Sequence, residues 1–393
     1  MRQKVAHVIT RCMAGAGGVA VRGAVSLPSD RYESTLVVGS GDGLLDVARA
    51  HGIDVVVVPE LVAPIRPTHD AQALASLVAL MRSRNFDVVH THSAKAGVLG
   101  RVAASRVRTP RIVHTLHGFP WHDFQRAPVR RTYIRIEQEL SRITDAYLAV
   151  GTAVAVEAVR RGIARPEQIT TIGPAVERTQ ILASPWTRAR ARSALGLGPN
   201  DLVVGTVGRL DYQKAPEVML EAVKRATTSP TLVWVGGGSL LEEAARRCRQ
   251  LGIEDRVLLL GNREDVADLL PAFDVFAMSS RYEGLPCAVV EAQDCGIPVV
   301  ATCVNAVSDV VVPGVTGLLV RPEQPAQLAR AIDFALTHPR DAARWVVAAR
   351  EQLGQRYDSS TLGSTLCDVY ELAPVARRPR PAPGHAPPSA VPA

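Results

Sequence analysis

Short, wholly apolar runs recur along this chain, separated by helix-compatible sequence, and that alternation restricts the fold more than any other feature. DVVVVP at 54–59 and LVVGTVG at 202–208 are apolar throughout instead of alternating with polar residues. A strand reads this way when it lies in a parallel sheet covered on both faces. A first series of predicted strands comprises Val5–Thr10, Ser34–Val38, Asp54–Val58, Val88–Thr91, Arg111–Thr115, Ala146–Ala149 and Thr170–Ile172. A second comprises Leu202–Val207, Thr231–Val235, Val257–Leu260, Val275–Met278 and Val299–Ala301. Helical stretches such as Asp70–Ser83 and Pro216–Thr227 lie between them. Repeated β-α units of this kind specify an α/β fold with doubly wound parallel sheets.

Two series imply two Rossmann-like domains, and 393 residues suit two cores of roughly 150–200 residues each. Gly and Pro cluster near Gly173-Pro174 and through Ser184–Asp201, which marks a break. The expected domains are therefore 1–180 and 181–357. A helix at 358–374 would return to the first domain, and the Pro/Ala-rich end, 375–393, reads as a disordered tail. Ligands of open α/β sheets bind beyond the carboxyl ends of the strands, so two facing domains would form one cleft.

No run of about 18 apolar residues exists, and MRQKVAHVIT lacks the features of a signal peptide, so a cytoplasmic protein is expected. Cys12, Cys248, Cys287, Cys295, Cys303 and Cys367 have no metal-site spacing and read as reduced thiols. Lys and Arg exceed Asp and Glu by seven, with a cluster at Arg101, Arg106, Arg108, Arg111, Arg126, Arg130, Arg131 and Arg135. With no aromatic-interleaved basic motif or zinc finger, nucleic acid is not expected as a partner. An anionic membrane surface or a phosphorylated substrate fits better, against the alternative of a plain solvated surface.

Three segments carry chemistry. In VGRLDYQKAP, Arg209 and Lys214 sit in a loop after the first strand of the second series, where Arg can clamp phosphate oxygens and Lys can add a point charge. In VWVGGGSLLEE, Gly236–Gly238 follow a strand, and a helix is expected from Ser239. That run suits either a ligand's close approach or a tight turn. In SSRYEGLPCAVVEAQDCGIPVVAT, Pro286 opens a helix that Gly296 ends, and amides near Gly284–Cys287 favour an anion. Glu283 and Glu291 bracket that helix start. Eight residues along a helix span roughly 12 Å, wider than a glycosidase carboxylate pair. The two carboxylates suit two hydroxyl-rich parts of one long ligand instead.

Together these residues resemble the retaining GT-B glycosyltransferases of family 4. Glu283 and Glu291 match its E-x7-E motif. GRLDYQK at Gly208–Lys214, VGGG at Val235–Gly238, the EGLP-containing segment at Ser279–Ala292 and G-x-PVVAT at Gly296–Thr302 accompany it. HVITR with the Gly17-Gly18 pair, DVVHTHSAKAGVLGR, VHTLHGFPWH and Thr144-Asp145 resemble the bacterial exopolysaccharide and capsule branch. The resemblance implies an acceptor domain first and a nucleotide-sugar donor domain second. It implies that Arg209 and Lys214 bind the donor diphosphate, that Glu283 holds sugar hydroxyls beside the Gly284 and Leu285 amides, and that Glu291 holds the ribose. Arg263 to Val266 would frame the base, Gly17 and Gly18 would line the cleft, and His117 would approach the sugar. His122 and Lys95 are weaker candidates for sugar or acceptor contact. His90, His92 and His114 are expected in the core or lining the cleft. No bound metal or other cofactor is implied; the nucleotide-sugar, a UDP-sugar by family weight, is a co-substrate. The acceptor would be a lipid-linked or growing glycan at the inner membrane face.

Two departures stand out. Cys303–Val307 replaces a Gly-rich turn, which makes Asn305 a candidate for altered sugar choice. Pro174 stands in the linker and stiffens a hinge. A GT-B epimerase, a phosphorylase and a non-catalytic subunit are the alternatives. An NAD enzyme is disfavoured, because the first βα turn has no acidic residue well placed at the end of the second strand.

Overall fold

The computed structural model describes residues 2–13, 15–173, 182–284, 286–356 and 360–371. Pro174, Leu285 and the 375–393 segment lie outside the described residues. The first parallel sheet contains β1 (Gln3–Cys12), β2 (Tyr32–Gly41), β3 (Asp54–Val57), β4 (Val88–His92), β5 (Arg111–Leu116), β6 (Ala146–Ala149) and β7 (Ile169–Thr171). The second contains β8 (Val203–Val207), β9 (Thr231–Val235), β10 (Val257–Leu259), β11 (Val275–Met278), β12 (Val299–Thr302) and β13 (Leu318–Val320). Strand orders are 3-2-1-4-5-6-7 and 10-9-8-11-12-13. The order reverses between β1 and β4 in one sheet and between β8 and β11 in the other. These switch points leave crevices at the carboxyl ends of the strands.

The apolar runs form the central strands because helices cover both faces. β4 and β5 are buried at every position. In β8, a Cβ on Gly205 would fall 1.9 Å from the Phe273 ring, so the ring packs directly on bare backbone. The edge strand β13 was not anticipated. It is three residues long and half-buried, too short to show a pattern.

Three other expectations are corrected. The segment 184–201 is no plain break, since Pro185–Ala194 is a helix that Ser184 caps by accepting from Thr187 N at 3.2 Å. The helix after the triple glycine starts at Leu241, not Ser239. The arginine cluster is not wholly a surface. Arg101 is 0% exposed and bonds Glu137 at 2.8 and 2.9 Å, while the buried Arg111 donates to the Val369 carbonyl. Both arginines hold elements together.

The helix Ser360–Glu371 follows the second domain yet packs on the first. Leu362, Leu366, Val369 and Tyr370 share a core with Val5, Val19 and Tyr32. Tyr370 Oη lies 2.7 Å from His90 Nδ1, and Tyr32 donates to Glu371 at 2.8 Å. A Cβ on Gly363 would fall 2.4 Å from the Ser26 carbonyl, so the helix backbones nearly touch.

Candidate functional site between the two sheets

Loops from both switch points meet. Past β11, the Glu283 carboxylate accepts from Lys214 Nζ at 2.6 Å, from Ser280 Oγ at 2.5 Å and from Gln213 Nε2 at 3.2 Å. Its own backbone N–H donates to Asn305 Oδ1 at 3.1 Å. Asn305 adopts a left-handed φ of 43°, a conformation Asn tolerates better than most side chains. Asn305 therefore braces the Glu283 backbone from the turn after β12.

The first domain closes on this pair directly. β5 ends at Leu116, and the His117-Gly118 peptide packs against Gly284. A Cβ on Gly284 would fall 1.6 Å from the His117 carbonyl oxygen, and one on Gly118 would fall 3.1 Å from Gly284 Cα. Only glycine fits at 284, and the positive φ of 128° at Gly118 disfavours any side chain there. Beside this contact the His122 ring stacks on Tyr282 at 4.2 Å and 5°. Asp309 of the second domain accepts from Ala153 N at 3.1 Å, at the start of the first-domain helix Thr152–Arg160. The residue before that helix is Gly151, which has no side chain to cap it, so the cap arrives from the other domain.

Gly17 and Gly18 lie buried in the first turn of the helix Ala16–Ser26, just past β1. A Cβ on Gly17 would fall 2.8 Å from Cys12 carbonyl carbon, and one on Gly18 would fall 3.0 Å from Arg22 Nη1 and Nη2. No sequence motif points to Arg22. Its guanidinium reaches the second domain electrostatically, acting to lower both the Glu291 carboxyl and the Cys287 thiol. Glu291 lies in the helix Cys287–Cys295, which Gly296 terminates at φ 90°. Burial raises its carboxyl above the usual range, against the pull of Arg22. Burial, with Glu291 adding, pushes Cys287 up to about 12, so this thiol is no nucleophile.

The other expected residues are placed as follows. Arg209 is 60% exposed and pairs with Asp211 at 3.0 Å. Arg263 pairs with Asp265 at 2.6 and 2.7 Å, just before Val266 opens a short helix. Gly236 and Gly238 are required by packing of the two neighbouring loops. Cβ atoms there would fall 2.2 Å from the carbonyls of Gly208 and Leu210. Lys95 bonds Asp70 at 2.6 Å and so is tied into its own domain.

The histidines form a network. His92 lies 3.0 Å from His117 Nε2 through Nδ1, and 3.3 Å from His7 Nδ1 through Nε2. His90 bonds Tyr370 and Thr115, and His114 bonds Thr91. His7, His90 and His92 bring ring nitrogens within 4.8 Å of one another. Both His90 nitrogens are already hydrogen-bonded, which fits a polar core better than a ligand set. Burial lowers all five; His7 and His117 fall to about 4. A separate cavity of about 570 Å³, lined in part by Tyr212, Glu217, Arg247, Arg281 and Glu323, contains none of the cleft residues expected from sequence. Its arginines are paired with Glu217 and Glu221.

Residues 13–180 match the Glycosyltransferase Family 4 model, and residues 187–352 match Glycosyl transferases group 1. The UDP-Gal:alpha-D-GlcNAc-diphosphoundecaprenol alpha-1,3-galactosyltransferase of Escherichia coli is 30% identical, covering 77% of this chain and 80% of that protein. The chain belongs to glycosyltransferase family 4. Among other relatives of this glycosyltransferase, the putative glycosyltransferase EpsD of Bacillus subtilis is 27% identical over 78% of this chain and 83% of its own. Its GT-B fold is shared with Anabaena HepE, crystallised with UDP and glucose, at a TM-score of 0.79 and 23% identity, covering 93% of this chain and 99% of that one. Sucrose-phosphate synthase from Thermosynechococcus elongatus also matches at a TM-score of 0.79, with 21% identity, covering 94% and 98%. No helix among the described residues is long and apolar enough to cross a membrane.

Proposed function

We propose that this glycosyltransferase moves a sugar, with retention, from a UDP-sugar to a lipid-linked or growing glycan acceptor. The observation that carries the reading is the contact of His117-Gly118 with Gly284 beside the Lys214–Glu283 pair. It brings the backbone of the His117-Gly118 turn from one domain against the loop of the other that carries an enclosed cation and carboxylate. In this reading the donor diphosphate takes Lys214, with Arg209 and Arg22 adding charge and the helix start at Cys287 supplying amides. Glu283 holds sugar hydroxyls beside Gly284 and Leu285, Glu291 holds the ribose, and Arg263 to Val266 frame the base. Gly17 and Gly18 leave room where acceptor and phosphate meet. The donor's bond from the anomeric carbon to the diphosphate oxygen breaks, and the acceptor oxygen bonds that carbon on the same face. The acceptor proton passes to the departing phosphate oxygen. The charge of this step falls on groups the chain itself provides, without a further cofactor.

The Escherichia coli relative's named acceptor, a diphosphoundecaprenol-linked sugar, supports the acceptor class. The helix Ala127–Leu140 adds a physical reason. It exposes Arg131 and Arg135 with Val129 and Ile136, and Arg126 and Phe124 precede it. A mixed cationic and apolar face suits peripheral contact with an anionic bilayer on the cytoplasmic side. A screen of the purified protein against UDP- and GDP-sugars, with mass analysis of product on an undecaprenyl-diphosphate-linked sugar, tests the reading. Transfer from GDP-sugars alone, or an inverted linkage, would overturn it.

A further inference from the structure

We infer that His7, His92 and His117 form a directional hydrogen-bonded chain that fixes the tautomer of His117, so that its Nδ1 carries the proton presented to the cleft. His7 and His92 are then positioning residues, acting on the reaction only through His117.

The geometry supplies a line of rings. His7 Nδ1 faces His92 Nε2 at 3.3 Å, and His92 Nδ1 faces His117 Nε2 at 3.0 Å. His7 is 0% and His92 1% exposed. His90 lies tilted against His92, with centroids 4.3 Å apart, but its nitrogens are bound elsewhere, so it stands outside the line. Burial keeps all three rings neutral near pH 7, and charging any neighbouring histidine would only oppose a charge on His92 further. A neutral imidazole has one N–H and one lone pair. Each ring must therefore accept on one side and donate on the other, and one end sets the sense of the whole line.

The buried end decides. Among the described residues, His7 Nε2 has no hydrogen-bond partner. If the line ran inward from His117, His7 would bury an unpaired N–H there. If it runs outward, His7 keeps its proton on Nδ1 and leaves only a lone pair unused. Orphaned buried N–H groups are rarer than under-used acceptors. The outward sense follows: His7 Nδ1–H donates to His92, His92 Nδ1–H donates to His117 Nε2, and His117 is left with its proton on Nδ1. That nitrogen bonds no other described residue, and the backbone carbonyl of the same residue packs against Gly284 of the second domain. The result is a fixed donor rather than a base. It suits an oxygen acceptor such as a sugar hydroxyl or a phosphoryl oxygen, and this use of the donor rests on the nucleotide-sugar reading above.

Long-range proton–nitrogen NMR of the full chain labelled in histidine, with His117→Gln to assign the signal, tests the inference. The Nδ1–H tautomer of His117 is expected in the wild-type protein. His7→Leu should mix the tautomers and lower kcat about tenfold, with donor KM little changed. His7→Asn, whose amide can donate from the place of Nδ1, should restore both. The inference is overturned by an Nε2–H His117 in the wild type, or by a His7→Leu protein with unaltered tautomer and kcat. It is also overturned if added cobalt gives a tetrahedral histidine-ligated spectrum that His7→Leu abolishes. Should His7→Leu not fold, the wild-type spectrum decides alone. Absence of sugar transfer alongside an Nδ1–H His117 would count against the donor reading only.

Discussion

Lys214 Nζ and Glu283 Oε1 stand 2.6 Å apart, with the carboxylate only 4% exposed and the lysine side chain 18%. A pair so enclosed differs from a surface ion pair. Removing one partner strands the other charge, at a cost of about 3 kcal/mol or more. Ser280 and Gln213 complete the carboxylate's shell. Lys214→Ala should therefore lower both the melting temperature and sugar transfer, the latter at least 100-fold. Glu283→Gln can keep the Ser280 bond and should melt closer to wild type while still losing transfer. Thermal melts paired with a transfer assay read both, and a Lys214→Ala protein with full transfer would remove Lys214 from the site.

Gly284→Ala should inactivate with little effect on the stability of either domain. The added methyl collides with the His117 carbonyl, a contact between domains and not within one. Closure should fail, with kcat/KM falling more than about 100-fold and the radius of gyration rising in solution scattering. An active Gly284→Ala protein would show that this contact is not part of the working state.

Glu291 makes stability depend on pH in a defined sense. Its folded carboxyl is raised above the ordinary value of 4.5 by burial. The stability that comes with the protonated form is fully present below 4.5 and is lost as pH rises through the raised value. Glu291→Gln should therefore be more stable than wild type at pH 7 and equal to it near pH 4, as measured by denaturant midpoints. On the ribose-holding role, the same protein should bind donor about tenfold more weakly. A gain in stability with unchanged donor affinity would detach Glu291 from the nucleotide.

Asp309→Ala should weaken the joining of the domains without touching the donor loops. The lost cap on the helix Thr152–Arg160 is worth about 1 kcal/mol, and Ala153 N would lose its acceptor. A two- to fivefold rise in donor KM at unchanged kcat is expected. Gly151→Ala should do the same by steric means, since its methyl would fall 2.6 Å from Asp309 Oδ2. Equal KM in all three proteins would refute the coupling.

The parallel sheets were legible because strands buried on both faces leave unbroken apolar runs, as at Val203–Val207 and Thr231–Val235. Leu318–Val320 escaped because three half-buried edge residues carry no period. Pro185–Ala194 escaped because PWTRARARSA has no long apolar side chain after Trp186 and buries only Ala191 and Arg192. At the site, the spacing of Glu283 and Glu291 placed one in a loop and the other in the following helix. Arg22, His7 and Asp309 were not legible. Each acts on a residue far along the chain, Asp309 on Ala153 across 156 positions, and no local pattern records such a partnership. The triple glycine was legible as a turn, but its cause, the carbonyls of Gly208 and Leu210, lies in another loop.

The helix Ser360–Glu371 fixes an order of assembly. It supplies Leu362, Leu366 and Tyr370 to a core begun by Val5 and Val19, and it braces the helix that bears Gly17 and Gly18. During synthesis the first sheet emerges long before this cover exists, and its face waits exposed until the second domain has been made. The half translated first is thus completed only by a segment made after the second domain, and the glycine-bearing helix gains its backing only once residues 360–371 have left the ribosome.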